Sequence, residues 1–175
     1  MKAERFCKFN KISLENFYKS YIEFFQEKKI NINNEEIKNI YDNLKLPKRA
    51  TVSSAGYDFF IPISITINPK ETIKIPTGIN VNMSNDLVLL IFPRSSLGFK
   101  YNFILDNTVG VIDSDYYYSD NEGHIQIKLT NHSDKVLNLK NGQAFSQGIF
   151  LNYFTTTDDN VDKIRNGGIG STNEI

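Results

Sequence analysis

The chain has 175 residues, 40% of them hydrophobic and 23% charged, proportions that suit one soluble globular domain with a real core. Its twenty basic residues are matched by twenty acidic ones, so it lacks the positive surplus with which a general nucleic-acid binder displaces counterions, although a local pocket for a few phosphates remains open to it. One cysteine (Cys7) and two histidines (His124, His132) exclude a disulfide framework and a structural zinc cluster; neither a membrane span nor a signal peptide is legible, so the expected setting is the cytoplasm, without nucleic-acid or membrane partners.

Three zones follow along the chain. Residues 1–45 read as a helical extension. Ser13 is placed to cap a helix carrying Leu14, Phe17, Tyr18, Tyr21, Ile22 and Phe25, an apolar stripe at helical spacing. Asn34 is placed to cap a second helix, with Glu35 and Glu36 in its first turn, where the helix dipole favours anions. Ile37, Ile40, Tyr41 and Leu44 form its inner face. These stripes read first as packing against the rest of the chain, and second as a docking surface for a protein partner.

Residues 46–154 are strand-like throughout. Residues 61–67 alternate at period two, as do Ile73 and Ile75; residues 87–92 form a continuous apolar run; residues 124–130 alternate; residues 136–139 and 148–154 follow. Turn signals at Asn68 with Pro69, Pro76 with Gly78, Asn121 with Gly123, and Asn141 with Gly142 separate them. Many short strands without helical patterns between them indicate an all-β sandwich or barrel. Within this zone, Asn107, Val111, Ile112, Asp113 and Tyr116 place an amide, an apolar pair, a carboxylate and an aromatic ring within ten residues. An amide can read a base edge, a carboxylate can activate water, and a ring can lie against a sugar; a surface turn is the plain alternative. Residues 155–175 begin polar and end in a glycine-rich basic stretch, 165–172. Such termini are commonly disordered, but glycines beside Arg165, Ser171 and Thr172 also suit a flexible phosphate clamp.

Five segments, in order, resemble the five sequence motifs of the trimeric deoxyuridine triphosphatases (dUTPases): residues 55–59, 93–98, 110–116, 142–147 and 165–172. The resemblance runs from about residue 46 to residue 172. It implies an all-β, jelly-roll-like barrel behind the N-terminal pair of helices, and a homotrimer. Each active site would be shared by three subunits and closed by the C-terminal arm. The implied reaction is hydrolysis of dUTP to dUMP and pyrophosphate, which keeps uracil out of DNA and supplies the precursor of thymidylate.

On that resemblance Asp113 matches the general base that activates an in-line water for attack on the α-phosphorus. Asn107 matches the side chain that reads the uracil edge, with a hairpin over residues 100–105, and Val111 lies beside the substrate. Tyr116 matches the ring packed under deoxyribose, where it leaves no room for a 2′-hydroxyl. Arg94, Ser95, Ser96 and Gly98 match the phosphate-binding second motif, and Arg brings a planar fork that Lys lacks. Gln147 matches a further phosphate contact. Asp58 matches a carboxylate that meets a metal-bound water or braces the site. Mg²⁺ is expected mainly on triphosphate oxygens and waters, with no direct protein ligand. Arg165, Ile169, Gly170 and Ser171 belong to the closing arm. Asp115 reads as a structural hydrogen-bonding group on a continuing strand.

The chain departs from the family pattern in places. Ile169 stands where an aromatic ring usually covers uracil, and such stacking is worth ~1–3 kcal/mol per base. Only three residues separate Arg165 from Ile169, and Asn173 stands where Gly often follows. Residues 117–122 are inserted before Gly123, Ser96 replaces a commoner Gly, and Phe145 a smaller aliphatic. These changes touch tail closure and turnover more than reaction type. A deoxycytidine triphosphate deaminase of the same fold would need a glutamate base where Asp113 stands. A regulatory protein using the pocket as a sensor is the rival of another class. The all-helical dUTPases require paired carboxylates on helices that this sequence does not supply.

Overall fold

The computed structural model describes residues 6–163 and 165; Ile169, Gly170 and Ser171 lie outside them. Helix α1 (Leu14–Glu27) starts where expected, with the Ser13 hydroxyl accepting the Asn16 N–H at 3.2 Å. Helix α2 (Asn34–Asp42) is capped one residue earlier than expected. Asn33 accepts the Glu36 N–H while the Glu36 carboxylate accepts the Asn33 N–H, each at 2.9 Å. This reciprocal box satisfies two amides that have no partner within the helix. The helices join the core through Phe17, Tyr21, Phe24, Phe25 and Ile37, all buried. Phe17 stacks on Tyr21 at 4.1 Å and meets Tyr41 edge-on at 5.2 Å. Each such side chain removed from water contributes about 1.5–3 kcal/mol.

Ahead of α1, within the segment read as helical, lies a strand, β1 (Cys7–Lys11). It pairs antiparallel with β6 (Ile79–Met83). Its alternation is carried by Phe9 alone, which packs on Tyr57, Phe59 and Phe150 at 5.5–5.7 Å. Gly78, just before β6, has φ +72, and a Cβ there would stand 2.6 Å from Leu44 and 2.7 Å from Phe17. The helix pair therefore sits directly on this turn.

The remaining strands are β2 (Lys48–Arg49), β3 (Tyr57–Phe60), β4 (Ile65–Ile67), β5 (Thr72–Pro76), β7 (Leu87–Pro93), β8 (Phe103–Leu105), β9 (Gly110–Ile112), β10 (Gln126–Asn131), β11 (Leu137–Leu139) and β12 (Ala144–Asn152). They form a five-stranded sheet in the order β2-β3-β12-β7-β9, a three-stranded sheet β5-β10-β8 and a pair β11-β4. Every pairing is antiparallel. The architecture is mostly β, with α1 and α2 at the N-terminal end. No helix among the described residues is long and apolar enough to cross a membrane.

Three further expectations are corrected. Residues 61–67 are not one strand: only Ile65–Ile67 pairs with β11. Pro62 has no N–H to give a ladder, and Ile61 instead exchanges backbone bonds with Gln143 and Gly142, both at 2.8 Å. The hairpin expected over residues 100–105 is absent. Lys100 and Tyr101 end a helix, α3 (Ser95–Tyr101), Asn102 closes it in the left-handed region, and β8 pairs with β10. The strand leading to Asp113 stops there, and Asp115 opens a 3₁₀ turn (Asp115–Tyr118).

Candidate functional site

Two clusters hold the residues singled out in the sequence. The first lines a cleft of about 430 Å³ between β9, the loop before it, the 3₁₀ turn and β10. The loop turns tightly: Thr108 has φ +63, its N–H donates to the Leu105 carbonyl at 3.0 Å, and the Val109 N–H donates to the Asn107 carbonyl at 2.7 Å. That turn leaves the Asn107 side chain exposed on the cleft wall. Val111, on β9, is 57% exposed and lines the same wall.

Asp113 follows β9 at the cleft, with its side chain 59% exposed. Arg165 reaches into the cleft and bridges two carboxylates, donating from Nη2 to Asp113 at 2.7 Å and from Nε to Asp115 at 3.0 Å. Its guanidinium carbon lies 5.8 Å from the centre of the Tyr116 ring, within cation–π range. Asp115 thus holds Arg165 by a hydrogen bond, from a turn rather than from a strand. Tyr116 is buried. Its hydroxyl donates to the His124 carbonyl at 2.9 Å and accepts from Asn121 at 2.8 Å. Burial pushes its phenol up, against Asn121 and Arg165 acting downward.

Asp106 and Lys128 on the cleft wall were not foreseen; they pair at 3.1 Å, and Asp106 also accepts from the Thr130 hydroxyl at 2.6 Å. Burial raises the Asp106 pKa, but Thr130 and Lys128 together hold it below the usual range. Also unforeseen were Glu122 and His124 beneath Tyr116. Glu122 accepts the Ser13 N–H at 2.6 Å and the Asn16 amide at 2.8 Å. These bonds outweigh burial and keep its pKa low. In the sequence Glu122 is marked only by the insertion before Gly123, and His124 only as the start of the alternating run 124–130, although the strand begins at Gln126.

The second cluster sits at the Pro93 end of β7. Arg94 pairs with Asp58 of β3, and Gln147 of β12 lies opposite Asp58 in register. Gln147 donates to the Pro93 carbonyl at 3.4 Å. Gly56 lets the Gln147 side chain pack close against the backbone, since a Cβ there would stand 2.5 Å from its side-chain oxygen and push it aside. Ser95 and Ser96 are exposed in the first turn of α3. Gly98 is helical, with its N–H taken by the Arg94 carbonyl at 2.9 Å, and it closes no turn.

The two clusters do not meet within one chain. Leu89 of β7 pairs with Ile112, so Asp113 lies beside Val88, while Arg94 follows the opposite end of the strand. At about 3.3 Å per residue, the separation along β7 is roughly 20 Å. Among the described residues, no group of three or more His, Cys, Asp or Glu could hold a metal ion. The Asp58 carboxylate beside Arg94 is nevertheless compatible with a divalent ion carried on a ligand by that ligand's own oxygens and waters.

A family model described as dUTPase matches residues 42–173. The chain is 39% identical over 132 residues to the deoxyuridine 5′-triphosphate nucleotidohydrolase of Lactococcus lactis, covering 74% of this chain and 88% of that protein. It is 38% identical over 133 residues to that of Psychromonas ingrahamii, with coverages of 71% and 85%. A dUTPase structure from Streptococcus mutans is similar with a TM-score of 0.59 at 39% identity, covering 66% of this chain and 90% of that one. The dUTPase of Staphylococcus bacteriophage 80alpha has a similar fold, with a TM-score of 0.57 at 21% identity and coverages of 75% and 93%.

Proposed function

The chain belongs to the dUTPase family; it hydrolyses dUTP to dUMP and pyrophosphate, and we propose that it does so with Asp113 as the general base. The observation that carries this assignment is the cleft itself. A carboxylate, an exposed amide and a buried ring converge there in a volume suited to a nucleoside. Uracil lies against Asn107 and the turn backbone, and deoxyribose lies over Tyr116. Cytosine would place an amino donor where the site offers one already, and each mispaired buried group costs about 1–3 kcal/mol. Asp113 takes the proton of a water in line with the α-phosphorus.

Arg94, Ser95, Ser96 and Gln147 form the phosphate grip, and Asp58 braces Arg94 through their ion pair. Mg²⁺ would be held through the triphosphate with Asp58 near its waters, and it supplies neutralisation of phosphate charge. The roughly 20 Å between Arg94 and Asp113 along β7 favours a site completed by another copy, hence a homotrimer with shared active sites around a jelly-roll-like barrel. Arg165, with Ile169, Gly170 and Ser171 beyond the described residues, belongs to residues 155–175, the arm proposed to close over substrate; residues 46–154 form the core and 1–45 the extension. Arg165 pairs with Asp113. Incoming phosphates compete for that guanidinium and free the base. The proposed location is the cytoplasm, where removal of dUTP excludes uracil from DNA.

The test is pyrophosphate release from dUTP, with dCTP, UTP and dTTP in parallel, with and without Mg²⁺, on wild type and Asp113→Asn. Release confined to dUTP, dependent on Mg²⁺ and lost by at least about a hundredfold in the variant, is expected for a general base. Equal release in both proteins would remove Asp113 from that role.

A further inference from the structure

Helix α1 precedes the residues matched to the family, 42–173, and residues 117–122 read as an insertion in the family pattern. The structure joins them to each other, directly beneath Tyr116. We propose that α1 is a positioning element for Tyr116, acting through Glu122 and His124, and so helps to set how strongly the enzyme rejects a 2′-hydroxyl. This rests on the reading above that the Tyr116 ring packs against deoxyribose.

The Tyr116 hydroxyl has both of its hydrogen-bonding roles filled from residues 121–124. It donates to the His124 carbonyl at 2.9 Å and accepts from Asn121 at 2.8 Å. The position of the ring therefore follows the position of this loop. The loop does not hold itself in a relaxed form. Glu122 has φ +58, and Gly123 has φ +66 with the space for a Cβ already filled by the Tyr116 carbonyl at 2.8 Å. A non-glycine residue in the left-handed region persists where its surroundings over-determine it.

Part of those surroundings is the loop's own Ser119, which bonds the Tyr116 carbonyl and the Gly123 N–H; the rest of what grips Glu122 and His124 comes largely from helix α1. Both Glu122 carboxylate oxygens are taken by its first turn, from the Ser13 N–H at 2.6 Å and the Asn16 amide at 2.8 Å. The carboxylate also faces the positive end of the helix dipole. One turn further on, Ser20 meets His124 Nδ1 at 3.2 Å, while His124 Nε2 accepts the Gly78 N–H at 2.9 Å. An accepting Nε2 places the proton of the neutral ring on Nδ1, which donates to Ser20; the Ser20 hydroxyl in turn donates to the Asn16 carbonyl at 3.1 Å. Asn80 closes the arrangement on the Glu122 carbonyl at 2.7 Å. The bond chain thus runs from α1 through residues 122 and 124 to the phenol. A displacement of about 1 Å in a group that positions substrate can cost on the order of a hundredfold in rate, and a ring that excludes one oxygen atom works on that scale.

The experiment measures kcat/KM for dUTP and for UTP on the full chain with Asn16→Ala, Ser20→Ala, Glu122→Ala and the Asn16→Ala/Glu122→Ala double variant. Circular dichroism and thermal unfolding confirm that each protein is folded. The expected result is a UTP-to-dUTP ratio raised about tenfold in Asn16→Ala, the worth of one charge-assisted hydrogen bond, and at least as much in Glu122→Ala, which loses two. The double variant should go no further than Glu122→Ala alone, because both changes break the same bond. If Glu122→Ala does not fold, Asn16→Ala and Ser20→Ala carry the test, since they leave the loop sequence intact. Folded variants with the wild-type ratio, or with equal losses on both nucleotides, overturn the proposal. A wild-type protein that releases no pyrophosphate from dUTP overturns instead the function on which it rests.

Discussion

Acid should destabilise this protein through one buried ring. His124 is 1% exposed, and burial is the main force pushing its pKa from 6.5 down to about 4; Lys74 adds to the effect and Glu122 opposes it. The folded chain keeps the ring neutral, whereas the unfolded chain protonates it near the ordinary value. The stabilisation is therefore complete above pH 6.5 and is lost as pH falls through about 4. At about 1.4 kcal/mol per decade of proton affinity, the whole difference is roughly 3 kcal/mol. Between about pH 7 and pH 5 the loss is about 2 kcal/mol. That is a large fraction of a typical domain stability of about 5–15 kcal/mol. Urea unfolding of wild type and His124→Gln, at one protomer concentration across this range, is the assay. Glu71, Asp106 and Glu122, whose pKa values are lowered, titrate in both proteins. The difference in slope isolates the histidine. His124→Gln should be the less stable protein at neutral pH and should lose about 2 kcal/mol less on acidification. Parallel slopes would refute the reasoning.

Gly123→Ala should cost more than about 1 kcal/mol, because the position is left-handed and its Cβ would strike backbone at 2.8 Å; a lowered melting temperature checks it. Phe17→Ala empties the stacked contact with Tyr21 and should cost about 3–5 kcal/mol, read as a lower urea midpoint. Arg94→Lys keeps the charge but loses the fork held by Asp58, and it should raise KM for dUTP roughly tenfold; an unchanged KM would exclude Arg94 from the phosphate grip.

Much of this was legible because local chemistry wrote it. Ser13 before an apolar stripe predicts α1, and the apolar run of residues 87–92 predicts β7, whose alternate residues Leu87, Leu89 and Ile91 are buried. The site residues were read from motif order, and the cleft does bring Asn107, Val111, Asp113, Tyr116 and Arg165 together. What stayed hidden depends on distant partners. Strand β1 carries a single buried apolar residue and exists because β6 offers an edge. Pro62 breaks a period-two pattern without changing its hydrophobicity. Glu122 reads as a loop residue and His124 as the start of a strand until α1, more than a hundred residues earlier, closes on them. Arg94 and Asp113 read as one site in sequence, yet the register of β7 with β9 sends them apart.

Mixing two inactive variants tests most directly whether Asp113 and Arg94 of different protomers act on one dUTP. Asp113→Asn and Arg94→Ala chains, unfolded together and reassembled in equal amounts, should recover about a quarter of wild-type pyrophosphate release if each site draws the two residues from two protomers of a closed symmetric assembly. Recovery no greater than that of the separate variants would contradict it and place both residues in one chain's site.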